Sequence, residues 1–333
     1  MGKFDEGEKR SFCNTVWGKG PLSISYPGGA GRKTVIVDLE DGRYAVSKRA
    51  SPSRAKLEAL VLQKLSPSGK VPAYVTQDGE YVVQEVVNGD RLSEVLEYAT
   101  PEKRTEKIIL AGKTLFELQQ AGRNTGLIEI APKIGADPAW KNNLAQVPLR
   151  LAERMGFSLT GYDAEKIGAW LEKGETAFVK WDARPGNAFV ANDNRIIWFD
   201  WEHCGVGSTE DDLVWLLADE WTPISPDAEA ALLAHYSLHS SVSIDEITHR
   251  FKTKAVLHSM IRLMLIFDRK TEGRWPSIKL ALAQDRVGVS LPHINRLCRR
   301  TADWVDTIPE FRCLESMIVY ANEYTKKQQH DVT

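Results

Sequence analysis

Several features that would assign this chain to a broad class are missing from its sequence. The 333 residues contain four cysteines, none of them in a C-x-x-C pair, so neither a disulfide scaffold nor a zinc ribbon is indicated, and a reducing compartment is expected. Positive and negative charges nearly cancel, at a formal net charge of −2. A balanced charge gives no electrostatic pull toward nucleic acid or anionic lipid, and we expect neither as a partner.

Long apolar runs are also missing. The richest, at 258–267, is interrupted by Arg262 and falls well short of the ~18 residues that a membrane span needs. The first ten residues are mostly polar and charged, without the apolar segment of a signal peptide. We therefore expect a cytoplasmic protein.

Two common catalytic signatures are absent as well. The sequence has no G-x-S-x-G elbow, and its glycine-rich stretch PGGAGRKT at 27–34 departs from the P-loop pattern because Arg32 precedes Lys33 and a strand-like run follows. A glycine-rich turn between strands can still lie over phosphates, because glycine lets backbone N–H groups approach closely. The alternative is a plain flexible hairpin.

What the sequence does contain is an ordered change of pattern along the chain. Residues 21–50 hold three strand-like runs joined by Gly-rich and Asp-Gly connections, 51–69 has helical spacing, and 72–87 is a hairpin turning at Asp78-Gly79. Helical patterns follow, with strand-like runs returning only at 177–180 and 188–199. We predict a loose N-terminal extension (1–20), a β-rich lobe (21–87) and a larger, mainly helical lobe (88–333).

The residues with the clearest chemistry lie near the returning strands, in FVKWDARPGNAFV at 178–190 and WFDWEHCG at 198–205. Asp182 can accept a proton from a hydroxyl, whereas Asn187 and Asp200 offer the hard oxygen ligands that Mg²⁺ prefers. The alternative is that Asp182 and Asn187 only stabilise a turn through Asx hydrogen bonds.

Two further charged residues lie in the first lobe. Lys48 ends the third strand-like run, and Glu58 lies on the helix that follows. Each alone is typical of a solvated surface position. Together they suggest a lysine that binds phosphate oxygens and is oriented by a glutamate.

The order of these features resembles the aminoglycoside phosphotransferase and choline kinase-like family, which has a protein-kinase-like fold. That family's signature is similar to H-G-D-x-H-P-G-N, followed by a strand and I-D-W/F-E. The matching residues here are Asp182, Pro185, Gly186, Asn187, Asp200, Trp201 and Glu202. A downstream Asp-Leu, Asp212-Leu213, matches a position that is usually structural in the family. The resemblance implies an α+β, two-lobed protein-kinase-like fold, with an antiparallel β-rich N-lobe and a mainly α-helical C-lobe.

The resemblance also implies a role for each matched residue. Asp182 would be the catalytic base, and Asn187 and Asp200 would bind Mg²⁺. Lys48, held by Glu58, would bind the phosphates of ATP. The residues implied to cover the triphosphate are Gly28, Gly29 and Gly31, and those implied to offer backbone groups to adenine are Gln84, Glu85 and Val86. The implied activity is an ATP- and Mg²⁺-dependent transfer of the γ-phosphate to a hydroxyl of a small molecule.

Four positions depart from the family pattern. Lys180 and Trp181 replace the usual His-Gly, Arg184 replaces a His, and Gln119 replaces another His. Lys180 and Arg184 could hold an acidic substrate or pair with Asp182, and Trp181 is more typical of packing. The alternative function is therefore a catalytically weak or inactive kinase-fold protein that binds a nucleotide or a partner.

The acceptor itself is not indicated. The C-terminal helices contain Trp221, Tyr236, Trp275 and Trp304, which could wall a pocket but at helical spacing are more typical of core. An acidic run, 210–212, is typical of a solvated helix start, and the alternative is a surface for cationic substrates.

Overall fold

The computed structural model describes residues 6–27, 33–269, 281–282 and 287–330. They form a mixed α+β protein with an antiparallel sheet in the N-terminal lobe and a mainly helical C-terminal lobe, which confirms the predicted fold class.

The N-terminal lobe is built on a five-stranded antiparallel sheet in the order β1-β2-β3-β5-β4. Its strands are β1 (Ser23–Ser25), β2 (Thr34–Leu39), β3 (Gly42–Lys48), β4 (Tyr74–Asp78) and β5 (Tyr81–Glu85). The alternation of buried and half-exposed positions along β2 reflects the period of two in a strand, and the tight turn after Asp78 has Gly79 at a φ of 51°. The three predicted strands and the predicted hairpin are confirmed.

A helix covers one face of this sheet. The helix α1 (Glu6–Trp17) buries Phe12 and Cys13, and the Phe12 ring lies 4.5 Å from the ring of Tyr81 on β5. The prediction that 1–20 is a loose extension is therefore wrong for these residues. The contact with the sheet is made by Phe12, Cys13, Val16 and Trp17 in the second half of the helix, a stretch too short to show a clear helical period in the sequence.

The other face of the sheet receives α2 (Pro52–Leu65). Ser51 caps its N-terminus by accepting the N–H of Arg54, and Pro52 occupies the first turn, where a missing N–H is harmless. The apolar face of α2 buries Val61, Leu62 and Leu65 in the main core. This packing fixes the position of Glu58, which lies on the same buried side.

Two small sheets of the C-terminal lobe position the loops that carry the matched motifs. Strand β6 (Gly89–Arg91) pairs with β8 (Ala188–Ala191), which pairs in turn with β9 (Ile196–Trp198). Strand β7 (Thr176–Val179) pairs with β10 (Gly205–Ser208). The chain between β7 and β8 is the loop at 180–187, called the central loop below.

Helices make up the rest of the C-terminal lobe and enclose its core. The first group is α3 (Leu92–Tyr98), α4 (Pro101–Asn124), α5 (Leu127–Ile130), α6 (Pro138–Ala145), α7 (Val147–Met155) and α8 (Ala164–Leu171). The second is α9 (Asp211–Leu217), α10 (Pro226–Leu238), α11 (Ile244–Arg269), α12 (Leu291–Asp306) and α13 (Glu315–His330). Within the described residues, no helix is long and apolar enough to cross a membrane.

Candidate functional site

The central loop brings Asp182 and Asn187 into direct contact. The Asn187 side-chain amide donates to the carboxylate of Asp182 at 2.9 Å and to its backbone carbonyl at 2.9 Å. Pro185–Asn187 form a single 3-10 turn, which returns the chain to β8. The Asx bonding considered as an alternative is thus present, but it points Asn187 at the Asp182 carboxylate and so builds a polar site.

Arg184 also donates to the Asp182 carboxylate, which has about four acceptor positions and so keeps room for a hydroxyl donor. Its Nε atom donates to Asp182 Oδ1 at 2.6 Å, and its Nη2 atom donates to Oδ2 at 3.3 Å. Burial opposes ionisation, but the guanidinium of Arg184 outweighs it and lowers the pKa of Asp182 to about 2. The carboxylate is therefore ionised and held in one orientation, which suits it to accept a hydrogen bond from a hydroxyl.

The backbone of the site is strained. Trp181 and Asp182 have φ values of 54° and 43°, and Asp200 has a φ of 62°. Left-handed backbone at a non-glycine residue costs roughly 1–3 kcal/mol and clusters at functional sites. At the position of Trp181 the H-G-D-x-H-P-G-N signature has glycine, the residue that adopts this conformation freely.

A buried carboxylate holds the strained loop from below. Asp212 Oδ2 accepts the backbone N–H of Lys180 at 3.1 Å, and Asp212 Oδ1 accepts that of Trp181 at 2.9 Å. Gln119 donates to the same carboxylate at 3.0 Å and to the Thr209 carbonyl at 3.1 Å. Burial raises the pKa of Asp212 to about 6. Its contacts match the structural role expected for Asp212. Gln119 helps to fix the position of this carboxylate.

Asp200 lies beside this loop. Its backbone follows Phe199, whose N–H donates to the Asn187 carbonyl at 3.0 Å. Burial opposes ionisation, but the charges of Arg49 and Lys180 lower the pKa of Asp200. Asp200 Oδ1 is buried and accepts no hydrogen bond within the described part of the chain, although Arg49 Nη1 lies 2.8 Å away.

This oxygen provides a test of whether Mg²⁺ fits the site. Arg49 supplies a positive charge to this oxygen but no hydrogen bond, and a buried carboxylate oxygen without one can still gain from an ion or water that completes its coordination. Asp200 and the amide of Asn187 are both oxygen donors of the kind that Mg²⁺ takes when phosphates supply further ligands. The residues therefore fit a magnesium ion held jointly with phosphate, and the described residues contain no cluster of three or more His, Cys, Asp or Glu that would hold a metal alone.

The expected pairing of Lys48 with Glu58 is wrong. Arg49, the next residue, forms the bidentate ion pair with Glu58, and its Nη1 atom lies 2.8 Å from Asp200 and 3.6 Å from Glu202. Both members of the Arg49–Glu58 pair are buried. Burial opposes the charge of Arg49, but the surrounding carboxylates, Glu58 foremost, raise its pKa.

The pleat of β3 explains why Arg49, and not Lys48, pairs with Glu58. Side chains alternate between the two faces of a strand, so a shift of one residue moves a side chain to the opposite face. Lys48 stands opposite Tyr81 in the ladder, lies 5.6 Å from the centre of its ring and 3.9 Å from Glu80, and so occupies the face that α1 covers. Arg49 points to the other face, toward α2.

The remaining nucleotide-site predictions stay predictions. Gly28, Gly29 and Gly31 lie outside the described residues. Gln84, Glu85 and Val86 lie at the end of β5, as a hinge would. The N–H groups of Glu85 and Val86 already donate to the carbonyls of Ala73 at 2.9 Å and Arg43 at 3.3 Å, so they are not free to bind adenine in this conformation.

Lys180 lies beneath the site, not on its surface. The side chain is almost fully buried, and its amine donates to the backbone carbonyl of Asp200 at 3.2 Å and lies within 6 Å of the rings of Trp198 and Trp201. Burial lowers its pKa, against the neighbouring carboxylates. Lys180 therefore joins the two halves of the motif from below and is not placed to contact an acidic substrate.

Three half-buried tryptophans are linked through Trp181, which precedes Asp182 in the chain. The ring of Trp181 is 5.4 Å from that of Trp140 on α6 and 6.0 Å from that of Trp215 on α9, and Trp215 is 4.3 Å from His258 on α11. His258 Nε2 is buried and has no hydrogen-bond partner among the described residues, and burial lowers the pKa of His258 to about 3. Sequence reasoning expected packing for Trp181 and missed the other three residues, since nothing in their local sequence marks them.

The acidic residues near α9 are buried, which corrects the expectation of a solvated helix start. Glu210 and Asp211 pair with Lys254 at 3.0 and 2.6 Å, and Glu220 pairs with Arg262 at 2.7 Å. Lys254, His258 and Arg262 are four residues apart on α11, so they share one face, which lies toward α9 and the central loop. With their charges paired internally, these carboxylates do not form a surface for cationic substrates.

The aromatic residues singled out in the C-terminal helices belong mainly to the core. Trp221, Tyr236 and Trp304 are buried; Tyr236 and Trp304 lie on helices, whereas Trp221 lies in the connection between α9 and α10. Trp275 lies outside the described residues.

Comparison with protein families gives one match over most of the chain. The family described as "Phosphotransferase enzyme family" matches residues 24–246. This range contains both lobes' matched motifs. No curated protein matches the chain in sequence.

Solved structures agree on the fold. A candidate aminoglycoside phosphotransferase from Ralstonia eutropha has a TM-score of 0.59 at 16% identity, covering 97% of this chain and 98% of its own. A macrolide 2′-phosphotransferase from Brachybacterium faecium has a TM-score of 0.54 at 14% identity, covering 84% and 97%. A choline/ethanolamine kinase family protein from Mesorhizobium loti has a TM-score of 0.52 at 12% identity, covering 95% and 99%. At these identities the likeness establishes the two-lobed fold and nothing finer.

Proposed function

Because this chain belongs to the phosphotransferase enzyme family, we propose that it transfers the γ-phosphate of ATP, with Mg²⁺, to a hydroxyl group of a small molecule. The observation that carries the proposal is the convergence of three oxygen-bearing side chains. Asn187 contacts Asp182, and Asp200 follows the residue that bonds to Asn187. Phosphoryl transfer needs positioning and charge neutralisation more than covalent chemistry.

Asp182 would orient the acceptor hydroxyl. Its low pKa makes it a weak base, so its work is to accept a hydrogen bond from the hydroxyl and to take the proton only as the bond to phosphorus forms. Arg184 and Asn187 keep the carboxylate in one rotamer, which reduces the entropy that alignment would otherwise lose.

Asn187 and Asp200 would hold Mg²⁺. When bound, that ion neutralises charge on the phosphate oxygens. Arg49, linked to Asp200 and Glu58, takes the place proposed from the sequence for Lys48: it joins the N-terminal lobe to the metal ligand and presents a cation to the phosphate region.

The acceptor would lie against the three tryptophans that meet at Trp181. Trp140, Trp181 and Trp215 form a half-buried aromatic wall, and His258 Nε2 offers an unused hydrogen-bonding atom behind it. Such a wall favours an acceptor with a flat or apolar face.

A first experiment tests nucleotide binding. ATP with Mg²⁺ should raise the melting temperature, and saturation at about 100 times the dissociation constant adds about 2.7 kcal/mol. Asp200→Asn should remove the part of the shift that depends on Mg²⁺. Asp193→Asn, which changes an exposed acid on the β8–β9 turn, is the matched control and should behave as wild type.

A second candidate is a kinase-fold protein that binds nucleotide without transferring phosphate. The specific observation in its favour is that Arg184 and Asn187 already occupy both oxygens of Asp182. Incubation with ATP, Mg²⁺ and a panel of aminoglycosides, macrolides, choline and simple sugars separates the two candidates. Phosphorylated product supports transfer. Binding alone is favoured if ATP with Mg²⁺ raises the melting temperature but no panel member is phosphorylated and no ATP is consumed, either by transfer or by hydrolysis.

A further inference from the structure

A second concave site lies in the C-terminal lobe, among three helices. It is a cleft of about 950 Å³ between α10, α11 and α12, called the three-helix cleft below. That volume is in the range of pockets that take drug-sized ligands. Leu233 on α10, Ile244 on α11 and Trp304 on α12 contribute apolar surface to its lining.

The cleft is separate from the candidate active site. On α11 it is lined by Ile244, Thr248 and Lys252, spaced four residues apart. The face of α11 that lies toward the central loop carries Lys254 and Arg262, and Lys254 is two residues beyond Lys252. An offset of two residues is about 200° around a helix, so the two sets of residues occupy opposite faces of α11.

The cleft is positively charged in a chain that is slightly acidic. Its charged lining residues are Lys252, Arg296, Arg299 and Arg300 against Glu229 and Asp303, an excess of two positive charges. Glu229 is partly engaged, because it accepts the indole N–H of Trp304 at 2.8 Å. The cleft therefore attracts anions.

Two polar atoms of the cleft, one donor and one acceptor, lack a hydrogen-bond partner. Arg300 Nε and Asn295 Oδ1 are buried without a hydrogen-bond partner in the described ranges. Arg300 donates from its other nitrogens to the carbonyls of Thr222 at 3.1 Å and Asp219 at 2.8 Å. Burial lowers the pKa of Arg300 to about 10. The charges of Asp219, Glu220 and Glu229 act on Arg300, but its buried Nε–H donor lacks an acceptor, which is unfavourable and which an anion in the cleft would supply.

Two further cations line the cleft, Lys252, whose charge acts on Glu229, and Arg299. Lys252 and Arg299 make no ion pair or side-chain hydrogen bond with any residue that the structure describes. Their side chains can turn toward a ligand without breaking an ion pair or hydrogen bond to a described residue, which lowers the free energy needed to bind the ligand.

We propose that the three-helix cleft binds a small organic anion that carries one acid group on an apolar body. The acid group would contact Arg300, Lys252 and Arg299, and the apolar body would lie against Leu233 and Ile244. The site is independent of phosphoryl transfer, and its ligand is not the phosphate acceptor.

The test uses the full chain and the fluorescent probe 8-anilinonaphthalene-1-sulfonate, which has one sulfonate on an apolar ring system. Saturable binding with one site is expected. The double variant Lys252→Gln/Arg299→Gln should weaken probe binding by about tenfold or more, because it removes two charge-assisted contacts to the sulfonate. The matched double variant, Lys56→Gln/Lys103→Gln, removes two exposed cations elsewhere and should bind within about twofold of wild type.

Three further measurements keep the proposal falsifiable. Ala230→Trp, at an exposed lining position, should block the probe without changing charge. The neutral analogue N-phenyl-1-naphthylamine should bind much more weakly than the sulfonate. Saturating ATP with Mg²⁺ should leave the probe bound. The proposal is overturned if the probe does not bind, if both double variants weaken it equally, if the neutral analogue binds as tightly, or if ATP displaces it.

Discussion

Replacing Arg49 with methionine should destabilise the protein far more than the same change at Lys48. Glu58 is completely buried, and without Arg49 the remaining hydrogen bond to its carboxylate is the Trp201 N–H at 3.2 Å. Breaking one side of a buried ion pair costs roughly 3–5 kcal/mol, because a charge is left uncompensated. That is a large part of the 5–15 kcal/mol or so that stabilises a typical domain.

The pH dependence identifies the cause of this loss. Burial raises the pKa of Glu58, and Arg49→Met removes the main charge that opposes this effect. A carboxyl whose pKa is raised on folding stabilises the fold when protonated and loses that contribution as the pH rises. The variant should therefore lie closest to wild type at low pH and fall furthest below it at pH 8.

Urea unfolding from pH 5 to pH 8 measures both effects. Lys48→Met is the matched control, with an expected loss below about 1 kcal/mol, since Lys48 is part-exposed and lies 3.9 Å from Glu80. Arg49→Met/Glu58→Leu removes the whole pair and should recover most of the stability. If Lys48→Met is as damaging as Arg49→Met, or the Arg49 variant loses under about 1 kcal/mol at every pH, the assignment of Arg49 to this position is refuted.

Two other variants probe the central loop. Arg184→Gln should lower the free energy of unfolding by up to about 2 kcal/mol at neutral pH. The reason is that folding lowers the pKa of Asp182 from 3.8 to about 2, which stabilises the fold at pH values above 3.8. Since that contribution disappears as the pH falls toward 2, the gap from wild type in denaturant unfolding should narrow below pH 4, and a gap that widens there would contradict the assignment. Gly135→Ala should lower the melting temperature, because its new Cβ would lie 2.6 Å from the Trp181 ring and 2.6 Å from Asp211 Oδ2. Gly156→Ala, where no atom lies within 4 Å but φ is 65°, reports the backbone cost alone, and equal losses in the two variants would remove the steric argument.

Sequence reasoning captured the lobes and the central loop because their signals are local. Alternating β-branched runs, Asp78-Gly79 and the Pro185-Gly186 turn are patterns of neighbouring residues, and each one specifies a local conformation. The same is true of Asp182 and Asn187, which are five residues apart in one turn.

The errors concern orientation and long-range contact. A strand-ending Lys48-Arg49 pair offers two cations on opposite faces, and only the register of β3 with β5 decides which one faces Glu58. The buried state of Asp211 depends on Lys254, 43 residues later, and an acidic run next to a helix start looks solvated without that partner. The Trp140–Trp181–Trp215 wall joins three distant segments, so no window of sequence contains it.

The most direct test of the central claim is transfer of labelled γ-phosphate from ATP by wild type, Asp182→Asn and the control Asp193→Asn, with each variant's nucleotide-induced melting shift recorded alongside. Wild type and the control should phosphorylate at least one hydroxyl acceptor. Asp182→Asn should lose about 100-fold or more in rate while keeping its melting shift, because Asp182 acts on the acceptor and not on the nucleotide. Transfer that continues at the wild-type rate in Asp182→Asn would contradict the account.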